Sequence, residues 1–462
     1  MDKKIYLTRK QYIITASLLF GMFFGAGNLI FPIHLGQMAG QNWLPAAIGF
    51  LVSAICLPLL SILSISMTES SSMYDLALPS GKLFALAFLI LTHASLGLLI
   101  ASPRTATVTF SMGIQPFIPK SWTQMSLLIF SLLFFGATLL LAYNQNNITR
   151  NVGKILNPIL VLLLAFLFFV AFFLKGADMR SMSFLPAAGK GTGSLINGFL
   201  QGYNTMDALA GLGFGVTVVT ALKLFGQKDN RQRSKSVAWI GALTMGFEAL
   251  IYIFLIALGA SSLGYTKLSA NGGTAFTTIM QHYTGMAGAS ILAALTLIAC
   301  LTTSIGLITS LSQDWGRRFP KIGYHRFLIF ATLVSFSIAN FGLDQIILYS
   351  SPLLSFLYPL AIALIILGIM RPLIGRRQMI YKTTIAFTMI PAILDLIHNL
   401  PPIFANTALI SAINTWAGNH IPLYSIGLDF FPFMLIGLLG SWAISKFTKE
   451  SLPESESSTN NN

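Results

Sequence analysis

From Gln11 to Met38 the chain carries no Asp, Glu, Lys or Arg, and long apolar runs of this kind recur along it as far as residue 445. A hydrocarbon core ~30 Å thick asks for ~20 mostly apolar residues per helical crossing, and each run meets that length. Composition agrees: of 462 residues 55% are hydrophobic and only 9% charged, with mean hydropathy +0.74. Soluble domains carry about 25% charged residues, so a cytosolic enzyme or a secreted domain is excluded. The runs are continuous and do not alternate with a period of two, which excludes a membrane β-barrel. An all-α polytopic membrane protein remains.

Bounding the runs by charges and turn residues gives twelve spans, at 11–38, 43–67, 83–103, 122–142, 155–174, 193–222, 236–260, 286–312, 327–343, 346–370, 380–398 and 424–445. Residues 1–10 form a polar N-terminus. The tail 446–462 is rich in Ser, Asn and Glu and is expected to be disordered. The first run is too long for a signal peptide and lacks a small-x-small cleavage site, so it is read as an uncleaved span.

The net charge of +14 would suggest nucleic acid in a soluble protein, but here the basic residues fall between apolar spans. Alternate segments, starting with the N-terminus, hold 22 of them; the intervening segments hold 6, namely Arg104, Lys120, Lys175, Arg180, Lys190 and Lys267. Positive charge stays inside, so both termini are expected in the cytoplasm, with no nucleic-acid partner. Cys56 and Cys300 lie inside apolar runs and read as small hydrophobes rather than a disulfide or metal pair.

Two spans are anomalous. As a straight helix at ~1.5 Å per residue, 11–38 would reach about 42 Å. Its middle reads Phe23-Phe24-Gly25-Ala26-Gly27-Asn28, with Pro32 beyond. Span 193–222 carries Gly198, Gly202, Gly211, Gly213 and Gly215 around Tyr203-Asn204-Thr205-Met206-Asp207. Glycine costs helix stability, proline removes a donor, and Asn and Asp compete for backbone hydrogen bonds. Both spans are therefore expected to be interrupted at mid-membrane, although the same glycines also suit close helix packing. They lie five apart, so they cross in opposite senses. Interrupted helices at matching places in two halves point to inverted repeats, here 11–174 and 193–370, with 380–445 as two peripheral spans.

An interrupted helix bares amides at the start of its second half and carbonyls at the end of its first. Amides suit a carboxylate and carbonyls a cation or ammonium, so a zwitterionic amino acid uses both. Gly25, Ala26 and Gly27 form the expected cradle and Asn28 adds a side-chain amide, while Phe24 and Tyr203 are candidate apolar walls. Asp207 is a costly mid-span carboxylate that either faces a cation, carries a proton, or holds the broken helix. Glu248 is a second intramembrane acid, functional or structural. His93 suits an interior histidine better than a proton relay, and Asp395 and His398 read as interfacial. Ala299-Cys300-Leu301-Thr302-Thr303-Ser304 offers hard oxygens for Na⁺, or hydroxyls that merely bond their own helix. No phosphate loop, HExxH, GxSxG or metal-spaced Cys/His cluster occurs, so neither an enzyme nor a cofactor is expected and transport must draw on an ion gradient. Nor are there the rings of like charge that would favour a channel.

The segment Leu19-Phe20-Gly21-Met22-Phe23-Phe24-Gly25-Ala26-Gly27-Asn28-Leu29-Ile30-Phe31-Pro32 resembles the first span of bacterial branched-chain amino acid carriers, the leucine-isoleucine-valine:cation symporter family. Gln201-Gly202-Tyr203-Asn204-Thr205-Met206-Asp207-Ala208-Leu209 resembles their sixth. The likeness implies a leucine-transporter-type fold of the amino acid–polyamine–organocation superfamily and uptake of leucine, isoleucine and valine by alternating access. It places substrate between the two breaks, at Phe24, Gly25, Ala26, Gly27, Asn28, Tyr203, Asn204 and Asp207. It places Na⁺ on the carbonyls of Gly21 and Phe24 and on Ala299, Thr302 and Thr303. Asp207 departs from the wider fold, which leaves Na⁺ and H⁺ both open as coupling ion. Another amino acid or a small amine on the same fold is the alternative cargo.

Overall fold

The computed structural model describes residues 7–143, most of 158–174, 192–227 and 229–446. The fifth expected span, 155–174, is described for most of its length, as helix ending in a π-turn (Val170–Leu174), whereas the polar tail beyond residue 446 lies outside the described residues. Every described element is helical.

The first span is broken where the sequence indicates. Helix α1 (Arg9–Phe23) begins on Thr8, whose hydroxyl accepts from the Gln11 amide while the Thr8 amide donates to Gln11 Oε1 at 2.8 Å. Such reciprocal caps satisfy two amides that the helix cannot. Phe24 and Gly25 are extended (φ −71, ψ 99 and φ −132, ψ −158), and α2 (Ala26–Ala39) follows. The Gly25 amide leaves the helical ladder and donates to Asn28 Oδ1 at 3.1 Å, so Asn28 caps the second half of its own span.

A tight turn, Gly40–Asn42, leads into α3 (Trp43–Leu51), a π-turn (Val52–Cys56) and α4 (Leu57–Thr68). After the short α5 (Met73–Ala77), helix α6 (Lys82–Ala94) passes through a π-turn (Ser95–Leu99) into α7 (Ala101–Gly113). The third span therefore runs ten residues past the expected 103. Its extension, Thr105 to Gly113, is lined with hydroxyls that face the protein interior and so lowers the hydropathy that marked the boundary. Arg104, assigned above to an outer loop, is 2% exposed inside this span. Its removal from the outer set sharpens the charge asymmetry. Helix α8 is Thr123–Tyr143.

The sixth span consists of α9 (Thr192–Gly202), a 3₁₀ turn (Tyr203–Thr205) and α10 (Asp207–Leu224). Met206 joins them in the left-handed region (φ 65, ψ 12), a conformation costly for a side-chain-bearing residue that persists only when its surroundings enforce it. Several glycines around this break serve the close helix packing that the sequence offered as the alternative use. A Cβ on Gly198 would lie 2.0 Å from the Ala46 carbonyl oxygen, and one on Gly49 1.9 Å from that of Leu195, so α3 and α9 touch backbone to backbone. Gly202, Gly211 and Gly215 likewise press on Ser53, Ser61 and Ile62. Interruption and close packing thus coexist: the glycines pack and Met206 turns the chain.

Helix α11 (Asn230–Ser262) packs on α2 in the same way, with Gly36 against Ile256 and Gly259 against Ile33. A side chain at such a contact forces two helices apart, and overpacking of this kind costs about 3 kcal/mol. Gly36→Val is expected to lower the thermal unfolding temperature of the purified protein by several degrees, whereas Gly136→Val, at a glycine with open space, should leave it unchanged.

The remaining elements are α12 (Gly272–Arg318), α13 (Tyr324–Ala339), α14 (Leu343–Ile374), α15 (Gln378–His398), α16 (Ala408–His420) and α17 (Phe430–Ser445). Gly285 (φ 66, ψ −158) bends α12 sharply, so the expected eighth span starts just after it. The helix from Gly272 to the bend, and α16, were not foreseen. Among the described residues, eight helical stretches are long and apolar enough to cross a membrane; α13 and α17 are shorter apolar helices.

The distribution of polarity suits a lipid solvent. On α8, Leu132, Leu133 and Leu140 are exposed, while Arg104, Asp207, Glu248 and His93 are buried. A charge inside a membrane is stable only when it faces the bundle interior.

Candidate functional site

The two breaks face each other. Gly25, Ala26, Gly27 and Asn28 of the first span line one cavity with Thr205, Met206 and Asp207 of the sixth. Arg104 and Thr105 of α7 and Thr303 of α12 close its sides. Met22, Phe23, Leu96, Phe214 and Leu307 make an apolar wall. Its volume is about 30 Å³, roughly one water molecule's share of the liquid. An amino acid therefore needs the walls to part.

Polar chemistry concentrates at Asn28. Its Nδ2 donates to Asp207 Oδ2 at 2.8 Å and to Glu248 Oε1 at 2.9 Å, and it also meets the Tyr252 hydroxyl. The Tyr252 hydroxyl lies 2.9 Å from Glu248 Oε1 and 3.1 Å from Asp207 Oδ2. All four side chains are buried, Glu248 and Tyr252 completely. Two amide hydrogens and one hydroxyl hydrogen thus serve two carboxyl groups, and Glu248 Oε2 has no partner among the described residues.

Arg104 brings the cation. A Cβ on Gly27 would lie 3.0 Å from its Nη2, so the guanidinium packs tightly against the start of α2. The guanidinium sits 4.9 Å over the Phe31 ring, and its Nε and Nη1 have no hydrogen-bond partner among the described residues. A buried cation with free donors is costly alone, and here it shares the cavity with Asp207.

Thr303 carries the contact with the first break: a Cβ on Gly25 would lie 2.8 Å from its Oγ1. The Thr302 and Thr303 hydroxyls both donate to the Ala299 carbonyl, at 2.9 and 3.0 Å. With its amide turned to Asn28, Gly25 leaves the Gly21 carbonyl without that helical partner. Of the residues assigned to substrate from the sequence, Gly25, Ala26, Gly27, Asn28 and Asp207 share the cavity. Phe24 instead stacks on Phe20 with centroids 5.0 Å apart. Tyr203 and Asn204 open onto a different cavity.

Sequence reasoning missed Arg104 and Tyr252. Tyr252 is four residues after Glu248 and so shares its helix face, a spacing that could have found it. His93, expected to be a satisfied interior histidine, pairs with Asp314 at 2.8 Å.

A family model described as branched-chain amino acid transport protein matches residues 8–448. The chain belongs to this family of branched-chain amino acid transporters. It is not an enzyme. The branched-chain amino acid permease BrnQ of Lactobacillus delbrueckii subsp. lactis is 37% identical over 424 residues, which cover 91% of this chain and 94% of that one. In structure the chain is similar to Mhp1, a nucleobase-cation-symport-1 family transporter, in a closed conformation with bromovinylhydantoin bound. The TM-score is 0.59 at 14% identity, covering 97% of this chain and 95% of that one. MhsT in complex with L-phenylalanine gives 0.54 at 16% identity, covering 96% and 99%. A branched-chain amino acid transporter of the leucine-transporter-type fold is therefore a multi-pass helical membrane protein, as expected from the sequence.

Proposed function

We propose that the chain is a cation-coupled symporter that imports leucine, isoleucine and valine by alternating access. In this reading twelve spans form two inverted repeats, 11–174 and 193–370, with 380–445 peripheral and both termini in the cytoplasm of a bacterial cell membrane. One observation carries it: both broken spans contribute to a single buried cavity that has a cation at one side and a carboxyl group at the other. The α2 amides and the free Arg104 donors suit a substrate carboxylate, Asp207 suits the ammonium group, and Phe23, Phe214 and Leu307 suit a branched aliphatic side chain. The small volume fits a site contracted between outward- and inward-open states.

Na⁺ is assigned to Thr303, the Ala299 carbonyl and the freed carbonyls of Gly21 and Phe24, with Thr302 completing the set. Thr302→Ala combined with Thr303→Ala is expected to raise the Na⁺ concentration needed for half-maximal leucine uptake by about tenfold, a loss of ~1.4 kcal/mol. An unchanged Na⁺ dependence removes this helix from the ion site. The Asp207–Glu248 pair favours a second reading, in which a proton is the coupling ion. Two carboxyls that share one amide and one hydroxyl are stable together when they hold a proton between them.

The cargo is tested by competition in proteoliposomes. Leucine uptake should be inhibited by isoleucine and valine and not by lysine or glutamate. Inhibition by lysine or by small amines would transfer the fold to the alternative cargo.

A further inference from the structure

The polar side chains around Asn28 form a closed circuit. Asn28 Nδ2 reaches Asp207 Oδ2 at 2.8 Å and Glu248 Oε1 at 2.9 Å, and the Tyr252 hydroxyl reaches the same two oxygens at 3.1 and 2.9 Å. Asn28 Nδ2 and the Tyr252 oxygen face each other across it. These four contacts around the circuit need four hydrogens. The Asn28 amide supplies two and the Tyr252 hydroxyl one, while an ionised carboxylate supplies none. One contact would then set a phenol lone pair against a carboxylate in a fully buried cluster. A single extra proton on one carboxyl completes the circuit.

The surroundings decide which carboxyl holds it. Asp207 and Arg104 line the same cavity, so a negative charge on Asp207 has a cation close by. Glu248 stands behind Asn28, outside that lining, and is completely buried. Among the described residues the ionisable groups that act on it are Asp207 and Tyr252, neither of them a cation. A buried carboxylate without a counter-charge is costly and a neutral acid far less so. With the proton on Oε1, Glu248 donates to the Tyr252 oxygen, Tyr252 donates to Asp207, and Asn28 donates to both carboxyl groups.

The circuit acts on both breaks. With Nδ2 held by two carboxyl oxygens, Asn28 turns Oδ1 the other way, where it accepts from the Gly25 amide at 3.1 Å and keeps that amide out of the helical ladder. Asp207 opens the second half of the sixth span. Glu248 and Tyr252, four residues apart on α11, thus brace both breaks without lining the cavity.

We propose that Glu248 and Tyr252 are positioning residues for the substrate site, and that Glu248 keeps a resident proton throughout transport. The inference rests on the reading of the breaks as the amino acid site. Release of that proton would leave a buried carboxylate with no cation beside it, so Glu248 does not carry the coupling ion.

Leucine uptake by the full-length protein in proteoliposomes tests this, across a range of pH and leucine concentration. Tyr252→Phe opens the circuit while the aromatic ring keeps its edge-to-face contact with Phe50, 5.2 Å between centroids. The leucine concentration for half-maximal uptake should rise about tenfold with the maximal rate within about twofold, because a contact that organises the site before substrate arrives acts on binding. Glu248→Met, of similar length but without oxygen, should do the same. Glu248→Gln keeps an oxygen for the Asn28 amide and the neutral charge, so half-saturation should stay within about threefold of the parent and the pH profile should not move. A merely structural role would lower the unfolding temperature of Tyr252→Phe and leave its half-saturation at the parent value. That result, or loss of uptake or a displaced pH profile in Glu248→Gln, overturns the proposal; these two variants decide it if Glu248→Met does not assemble. Either result with an active parent removes only the positioning pair, whereas absence of uptake of every branched-chain amino acid by the parent removes the carrier reading itself.

Discussion

Asp207→Asn is expected to abolish concentrative leucine uptake while leaving a folded protein in the membrane. The substitution preserves shape, and the new amide can still meet Tyr252. It removes the negative charge assigned to the substrate ammonium or the coupling cation. Loss of a buried, hydrogen-bonded charge costs ~2–5 kcal/mol, so transport efficiency should fall by about thirtyfold or more. Radiolabelled leucine uptake into proteoliposomes measures this, with thermal unfolding as the check on folding. The Asn28 amide, which now donates to Asp207 Oδ2 at 2.8 Å, would face an amide that can turn its oxygen to the same place. Uptake at the parent rate with unchanged ion dependence would reduce Asp207 to a structural support of the broken helix.

Arg104→Gln is expected to cost stability as well as transport. The guanidinium is buried across the same cavity as Asp207, and removal of one buried charge strands its counterpart, at ~3–5 kcal/mol. Arg104→Lys should also fail to restore uptake, because a point charge cannot reproduce both the stacking on Phe31 and the free donors at the start of α2. If the two charges compensate each other, Arg104→Gln combined with Asp207→Asn should unfold at a higher temperature than Arg104→Gln alone. The double variant should remain inactive. Equal unfolding temperatures for the two would show that Arg104 is neutralised by something other than Asp207.

Much of this arrangement is legible in the sequence. A Gly-Ala-Gly-Asn segment at the centre of an overlong apolar run marks the first break, and Asn28 caps it as a residue at that helix position can. Asp207 stands out because a carboxylate is costly at mid-membrane, and it does begin the second half of its span. Arg104 was hidden by the hydroxyls that follow it, since a hydropathy boundary treats buried Thr and Ser as loop. The sixth break is marked by Asn204 and Asp207 among glycines, several of which serve packing; the residue that turns the chain, Met206, has no local signature because tertiary contacts impose its conformation. Glu248 and Tyr252 are far from Asn28 in sequence, and only the packing of α2 on α11 brings them to it.

Leucine uptake into proteoliposomes, with a sodium gradient and a proton gradient imposed separately, tests the central claim most directly. Accumulation above the external concentration under at least one of them, competed by isoleucine and valine, is the expected result. Mere equilibration of leucine under both gradients would contradict it.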